Sequence, residues 1–465
     1  MCEYSGFGWK CPHDKLPDSE YCIFHLEDDN KDIKAFNSGI DEILNTEEEV
    51  IHFNDFYFPP GTPDFYHKKF KQDVEFTGAK FCDGVNFVFS EFLKNADFQN
   101  ARFYGKVAFF NEVKFKGYAN FRDAIFCKSV YFRKSEFSED VNRKSVGHKN
   151  ADVEAIFDLV KFKERVSFRE AKFFKNVSFE ATDFLDYTYF EETEFHEHAD
   201  FSKVKFDGIT TFAPEKPETP EKSKTIDFRD AFFSENVKIE ADLSECYLYD
   251  SNIYRLDLTD SKWPEETKKW HIFSEGIKIW EETEGELEYN DLVGIYRRLK
   301  QSHQRYGDHS TAGEFYYREM ECKRRQMGFF QKQFWNIFYR GLCGYGERPF
   351  RVILASLGLI LLFAVLYFFN GIMLVGAELS TDSIINYKLN FSNTSFSNMS
   401  FSTIDYSMFK DFLWCCYTSV ITFTTLGYGD VHPIGWSRVV ASVETILGIF
   451  MTALLIFVFG RKMLR

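Results

Sequence analysis

Apolar positions in the first half of the chain recur with a step that alternates between five and six residues. Phenylalanine holds most of them: Phe76, Phe81, Phe87, Phe92, Phe98, Phe103, Phe109, Phe115, Phe121, Phe126, Phe132 and Phe137, then Phe157, Phe162, Phe168, Phe173, Phe179, Phe184, Phe190, Phe195, Phe201, Phe206 and Phe212. Steps of that size rotate a helix by roughly 140° and 240°, so no helical stripe forms. A flat strand fails as well, because an odd step changes face. Two residues before most of these aromatics sits a small or apolar side chain, as at Ala79, Val85, Ala96, Ala101, Val107, Val113, Val166, Ala171 and Val177. Each unit therefore sends two side chains inward and then turns a corner. With the register carried back to Phe65 and forward through Phe228, Phe233, Ile239, Leu243, Leu248, Ile253 and Leu258, the pattern predicts eight coils of 22 residues. At about 4.8 Å per coil they make a rod roughly 40 Å long. Phe168, Phe190 and Phe212 are expected to share one column, and surface loops are expected near 138–152 and Pro214–Lys224.

The pattern changes after Trp263. Asp291–Ser302 and Thr311–Met327 read as amphipathic helices joined near Gly307, and Phe329–Tyr339 mixes Phe330, Phe334, Trp335 and Phe338 with Lys332, as a helix lying in a membrane interface does. Val352–Phe369 is a run of 18 residues without a charge, and Val439–Gly460 is a similar run whose only charge is Glu444. Both are long enough to cross a bilayer. Lys323, Arg324, Arg325, Arg340, Arg348 and Arg351 precede the first run, and Arg461, Lys462 and Arg465 follow the second. The connecting loop instead carries Glu378, Asp382, Asp405 and Asp411 against Lys388 and Lys410. That asymmetry predicts a multi-pass cell-membrane protein with both termini cytoplasmic.

Between the runs, Phe409–Phe423 reads as a short helix re-entering the membrane, followed by Thr424, Thr425, Leu426, Gly427, Tyr428, Gly429 and Asp430. This stretch resembles the TxGYGD signature of the two-transmembrane potassium channels. A potassium ion leaving water needs replacement oxygens, which consecutive carbonyls aimed at one axis provide without fixed charge. The resemblance implies that Thr425, Leu426, Gly427, Tyr428 and Gly429 supply them, with Gly427 and Gly429 tolerating left-handed backbone angles. It implies support from Thr424 and Asp430. Glu444, expensive in hydrocarbon, is expected to face protein as a hydrogen-bonded or protonated carboxyl behind the filter, in preference to a pore-lining cation site. One strand cannot enclose an ion, so a homotetramer is implied. Gly448 lies where such channels carry a hinge glycine; a close helix contact is its other reading. Ile421 departs from relatives that have a glutamate there bonded to the filter aspartate, so inactivation at the filter does not carry over. No helix repeats arginine every third residue, which argues against a voltage sensor, and with five residues after Gly460 any ligand gating is expected from the amino-terminal side.

The Phe ladder is similar to the pentapeptide-repeat family, a right-handed quadrilateral β-helix in which four short faces make a coil. At the amino terminus, Cys2, Cys11, Cys22 and His25 form C-x8-C-x10-C-x2-H, a donor set for a closed tetrahedral zinc site in a segment too short to build a core. The spacing is similar to the plant WRC zinc knuckle, including Trp9-Lys10-Cys11, though one residue shorter in the first gap. Its DNA role does not transfer, because Glu27, Asp28 and Asp29 stand where that motif has basic flanks. Charge agrees: the net is −15, with 4 basic against 14 acidic residues in 1–60, and nucleic-acid binding needs a basic surface. Ten scattered cysteines with no secretory signal at the start fit a reducing compartment.

The fold class expected is therefore a multidomain chain: a pentapeptide-repeat β-helix, an α-helical linker and an all-α two-transmembrane pore domain. Its parts are a zinc knuckle (1–26), an acidic capping helix (27–61), the β-helix (62–262), the linker (263–328), an interfacial helix (329–346), a first span (349–375), an outer turret (376–408), the pore helix and filter (409–430) and a second span (436–460). Phe391, Phe396, Phe401 and Tyr406 repeat every five residues and predict one further coil in the turret. No nucleophile, base and orienter occur together, so no enzyme is expected. The function read is a potassium-selective channel in a lipid bilayer, gated or assembled by the β-helix through a cytoplasmic ligand or protein partner. The alternative is a membrane-anchored scaffold whose pore segment does not conduct.

Overall fold

The alternation of five and six has a backbone cause. In the computed structural model of the chain, every five-residue step passes through one residue in the left-handed conformation, two positions beyond the core phenylalanine. Asn100, Glu112, Asp123 and Lys134 illustrate it, with φ of 57°, 54°, 58° and 58°. The six-residue steps turn without such a residue. A left-handed residue with a side chain costs on the order of 1 kcal/mol, and hydrogen bonds to the next coil offset it, as from Asn100 N–H to the Arg122 carbonyl at 2.9 Å. The structure describes all residues except 7, 63, 138–152, 216–224, 265–276, 286, 375–383, 386–405, 428, 464 and 465. It divides into two compact units, Met1–Thr267 with Gly276–Cys322, and Lys268–Glu275 with Lys323–Arg465.

In the first unit, short parallel strands build four sheets of nine, eight, seven and six strands, the four sides of a β-solenoid of about eight turns. Most coil faces contribute one inward phenylalanine that stacks on the one a coil below, with Ile239 and Leu248 taking that place near the end. Phe98 lies on Phe121 at 4.8 Å with ring planes 1° apart, and meets Phe110 of a neighbouring column edge-on at 5.6 Å and 89°. Offset stacking and edge contacts are the two favourable ring geometries, and the square coil satisfies both at once. Two expectations change. The ladder residue after Phe103 is Phe110, which is buried, while Phe109 is exposed; that coil holds one extra residue, so Ala108 instead of Val107 pairs with Val85. Phe168 stacks on Phe190 at 5.0 Å and 8°, but Phe212 is tilted 53° to Phe190, next to the insertion.

The solenoid starts earlier than Phe65. Val50–His52 pairs with Asp73–Glu75, and Phe53, Phe56 and Phe58 belong to the core. The acidic segment before it supplies helix α1 (Ile33–Leu44), whose first N–H groups are capped by Asp32 and whose Phe36 and Ile40 are buried, with Phe36 edge-on to Phe58. The other end is covered by α2 (Trp280–Glu284) and α3 (Tyr289–Arg305); α4 (His309–Arg325) follows after Gly307. The last coil leaves strand N–H groups without a successor. Glu281 of α2 fills that role, its Oε1 accepting from Leu248 N–H and, at 3.0 Å, from Tyr249 N–H. Ser302 of α3 donates to the Leu256 carbonyl at 2.7 Å.

In the second unit, α5 (Phe329–Phe334) continues as a π-type turn over Trp335–Gly341 and exposes Phe329, Phe330, Phe334, Ile337 and Phe338. Among the described residues, two helices are long and apolar enough to cross a membrane: α6 (Pro349–Asn370) and α8 (Ser437–Met463). The apolar run continues to Leu374, but α6 stops at Asn370 because Gly371 turns the chain with φ of 99°. Ile372–Leu374 then pairs antiparallel with Val431–Pro433 and Ile384–Ile385. Helix α7 (Tyr406–Phe423) lies between the spans and packs against both. The coil expected from Phe391, Phe396 and Phe401 lies outside the described residues.

Candidate functional site

Helix α7 leads into the segment expected from the sequence to form a filter, and the way it ends sets the conformation of Thr425. Leu426 N–H reaches back to the Ile421 carbonyl at 3.1 Å and Thr425 N–H to the Thr422 carbonyl at 3.2 Å. This is a Schellman termination with Thr425 as the left-handed residue, φ 60°, a place usually held by glycine. A β-branched residue is costly there, so the position keeps a hydroxyl despite strain. Thr424 donates its hydroxyl to the Val420 carbonyl at 2.6 Å. The negative end of the α7 dipole faces the start of the segment, which favours a cation. Gly427 takes the left-handed region at φ 92°, whereas Gly429 does not; Tyr428 lies outside the described residues.

Thr424 to Gly427, Gly429 and Asp430 are all exposed on the single chain, Leu426 at 76%. The outer end of the segment is tied twice. Val431–Pro433 is held in the small sheet, and Asp430 Oδ1 accepts from Tyr417 Oη at 3.2 Å. Tyr417 sits one turn before Ile421 on α7, so a phenol reaches the aspartate from farther along the helix. Sequence reasoning missed it; the signal was a hydroxyl-bearing aromatic four residues before the position it examined. Glu444 is fully buried between α6, α7 and α8, and its partners are Tyr367 Oη at 2.5 Å and Ser419 Oγ. Gly448 lies against the end of α7: a Cβ there would stand 2.2 Å from the Phe423 carbonyl oxygen, and α8 runs unbroken through it.

Cys2, Cys11, Cys22 and His25 come together at the solenoid's first coil, all buried, their ligand atoms within 4.8 Å of one another. Cys11 Sγ is 3.6 Å from Cys22 Sγ, and His25 Nδ1 is 3.2 Å from Cys22 Sγ and 3.8 Å from Cys2 Sγ. A tetrahedral zinc with ~2.3 Å bonds to sulfur needs sulfurs about 3.8 Å apart, so the cluster fits a metal such as zinc. His25 Nε2 lies 3.0 Å from the Asn54 carbonyl, and donating to it leaves Nδ1 free to bind a metal. The neighbouring Cys11 thiol holds Cys22 below the ordinary thiol range, towards the thiolate a metal requires.

Two helices of membrane-spanning length with a shorter helix packed between them suggest a membrane protein, one whose chain also carries a β-solenoid. Residues 390–465 match the ion channel family, and residues 90–136 and 157–205 match the family described as pentapeptide repeats (9 copies). The chain thus carries an ion channel domain in its C-terminal part and pentapeptide repeats in its N-terminal part, and both families point to a protein that is not an enzyme. No curated protein matches the chain.

Proposed function

We propose that the protein is a potassium-selective channel subunit that conducts passively as a homotetramer. The observation that carries this reading is the exposed Thr424–Asp430 segment, launched by the termination of α7 and tethered at its far end by Tyr417 and the small sheet. A backbone so constrained at both ends yet uncovered on one side calls for partner copies, and four copies place the carbonyls of Thr425, Leu426, Gly427, Tyr428 and Gly429 around one axis. The basic residues flanking α6 and α8 put both termini in the cytoplasm, where the solenoid meets a ligand or partner. The exposed aromatics of α5 rest in the membrane interface, and zinc occupies Cys2, Cys11, Cys22 and His25. Gly448 serves first as a close contact, with bending of α8 there left to the open state.

Purified protein in liposomes tests the reading. Under a potassium gradient the reversal potential is expected to follow the potassium Nernst potential and to ignore an opposed sodium gradient. Currents that follow sodium equally, or a stable monomer in lipid, would overturn it.

A further inference from the structure

Glu444 is an ionisable side chain with no exposure, inside a helix long and apolar enough to cross a membrane. Such a group is costly in a low-dielectric interior unless its partners suit its charge state. No cation pairs with it among the described residues. Its partners are Tyr367 Oη from α6 and the Ser419 hydroxyl from α7, and Ser419 is in turn bonded to the Ile360 carbonyl of α6; none carries a charge.

Counting protons decides the state of the carboxyl. Ser419 Oγ lies within hydrogen-bond reach of two oxygens, the Ile360 carbonyl at 2.8 Å and Glu444 Oε1. A serine hydroxyl has one proton to donate. An ionised carboxylate accepts only, so one of the two contacts then holds no proton. A neutral acid completes the chain: Glu444 Oε1–H donates to Ser419 Oγ, Ser419 donates to Ile360, and Tyr367 donates to Glu444 Oε2. Each contact then has one donor, and the carboxyl joins α6, α7 and α8 through a network with no unpaired member.

The geometry points to Glu444 as a neutral-acid positioning residue that holds α7, and through it the Thr424–Asp430 segment, at a fixed distance from both spans. This rests on the channel reading for its consequence for ion selection, but the state of the carboxyl stands independently. The amide of Glu444→Gln reproduces the neutral acid, donating to Ser419 and accepting from Tyr367, whereas Glu444→Ala and Glu444→Asp do not span the gap.

Three measurements on the full-length protein test it. In infrared difference spectra of wild type against E444Q, a protonated carboxyl carbonyl band is expected in the wild type at neutral pH; its absence overturns the proposal even if the protein conducts nothing. In detergent, E444Q tetramers are expected to melt with the wild type and E444A below it; E444Q falling with E444A overturns the proposal, as does E444A melting unchanged. In liposomes, E444Q is expected to keep the potassium-to-sodium permeability ratio, while S419A and Y367F lower it about tenfold. If those two leave the ratio unchanged, the brace does not position the filter. Silence of the wild type removes the channel reading alone, since the spectra and melts still decide the rest.

Discussion

At Glu281 one carboxyl stands where the next coil of the solenoid would begin. Its Oε1 takes the N–H groups of Leu248 and Tyr249, while its Oε2 is buried without a hydrogen-bond partner. Burial raises its pKa from the usual 4.5 to about 7. The folded state therefore binds the proton more tightly than the unfolded chain. That contribution to stability is full below the unfolded value and is lost as pH rises through the folded one. Stability of the wild-type solenoid, followed by circular dichroism, is expected to fall between about pH 5 and pH 8 by up to ~3 kcal/mol. Glu281→Gln keeps an accepting oxygen and no titrating group, so its melting temperature is expected to vary less over that range and to exceed the wild type at pH 8. A variant that retains the full slope assigns the dependence elsewhere. None of this was legible in the sequence, where Glu281 is one acid among several; a cap that bonds to backbone N–H groups leaves no residue signature on its partner. Thr425 is the opposite case: its identity stood out in the filter motif, but its left-handed angle did not, because that conformation follows from how α7 terminates.

Among the elements, the Phe columns were read nearly in full because ring stacking demands the same side chain coil after coil. What escaped was the corner. A left-handed residue accompanies each five-residue step, yet Asn100, Glu112, Lys134 and Leu159 share no side-chain type, so only the spacing records it. The shift from Phe109 to Phe110 escaped for a related reason: adjacent phenylalanines offer the same chemistry, and the extra residue is settled only when Ala108 pairs with Val85. The amino-terminal Cys/His cluster was legible in its four side chains and silent in its docking. Tyr4 donates to Asp55 at 2.5 Å and stacks on His25 at 4.0 Å, while His25 bonds the Asn54 carbonyl. These contacts link the Cys/His cluster to the first coil, so on the proposal that zinc binds there its loss is expected to loosen both. Chelation should remove one zinc per chain, lower the melting temperature by several degrees, and speed amide exchange at Phe53–Phe58. Cys22→Ser should do the same without chelator. Protein that carries no zinc, or that loses zinc without faster exchange at those amides, refutes the coupling.

For the whole molecule, the boundary between the two units decides how the role of the solenoid can be tested. The sequence pattern placed the end of the β-helix near residue 262, where the aromatic period stops. The structure carries the same unit on to Cys322, because α3 covers the last coil with Leu292, Ile295, Tyr296 and Leu299 buried, and Arg318 pairs inside it with Glu282. A cut at 262 would strip the cover from those side chains and leave an apolar face that aggregates for reasons unrelated to gating. The informative deletion removes residues 1–322. On the proposed reading, in which selection belongs to the Thr424–Asp430 segment, the shortened channel is expected to keep the reversal potential of the full chain. If the solenoid governs opening or assembly, the potassium flux per tetramer or the tetramer fraction changes; a deletion that alters neither shows that the eight-turn rod serves some other purpose than regulating the pore.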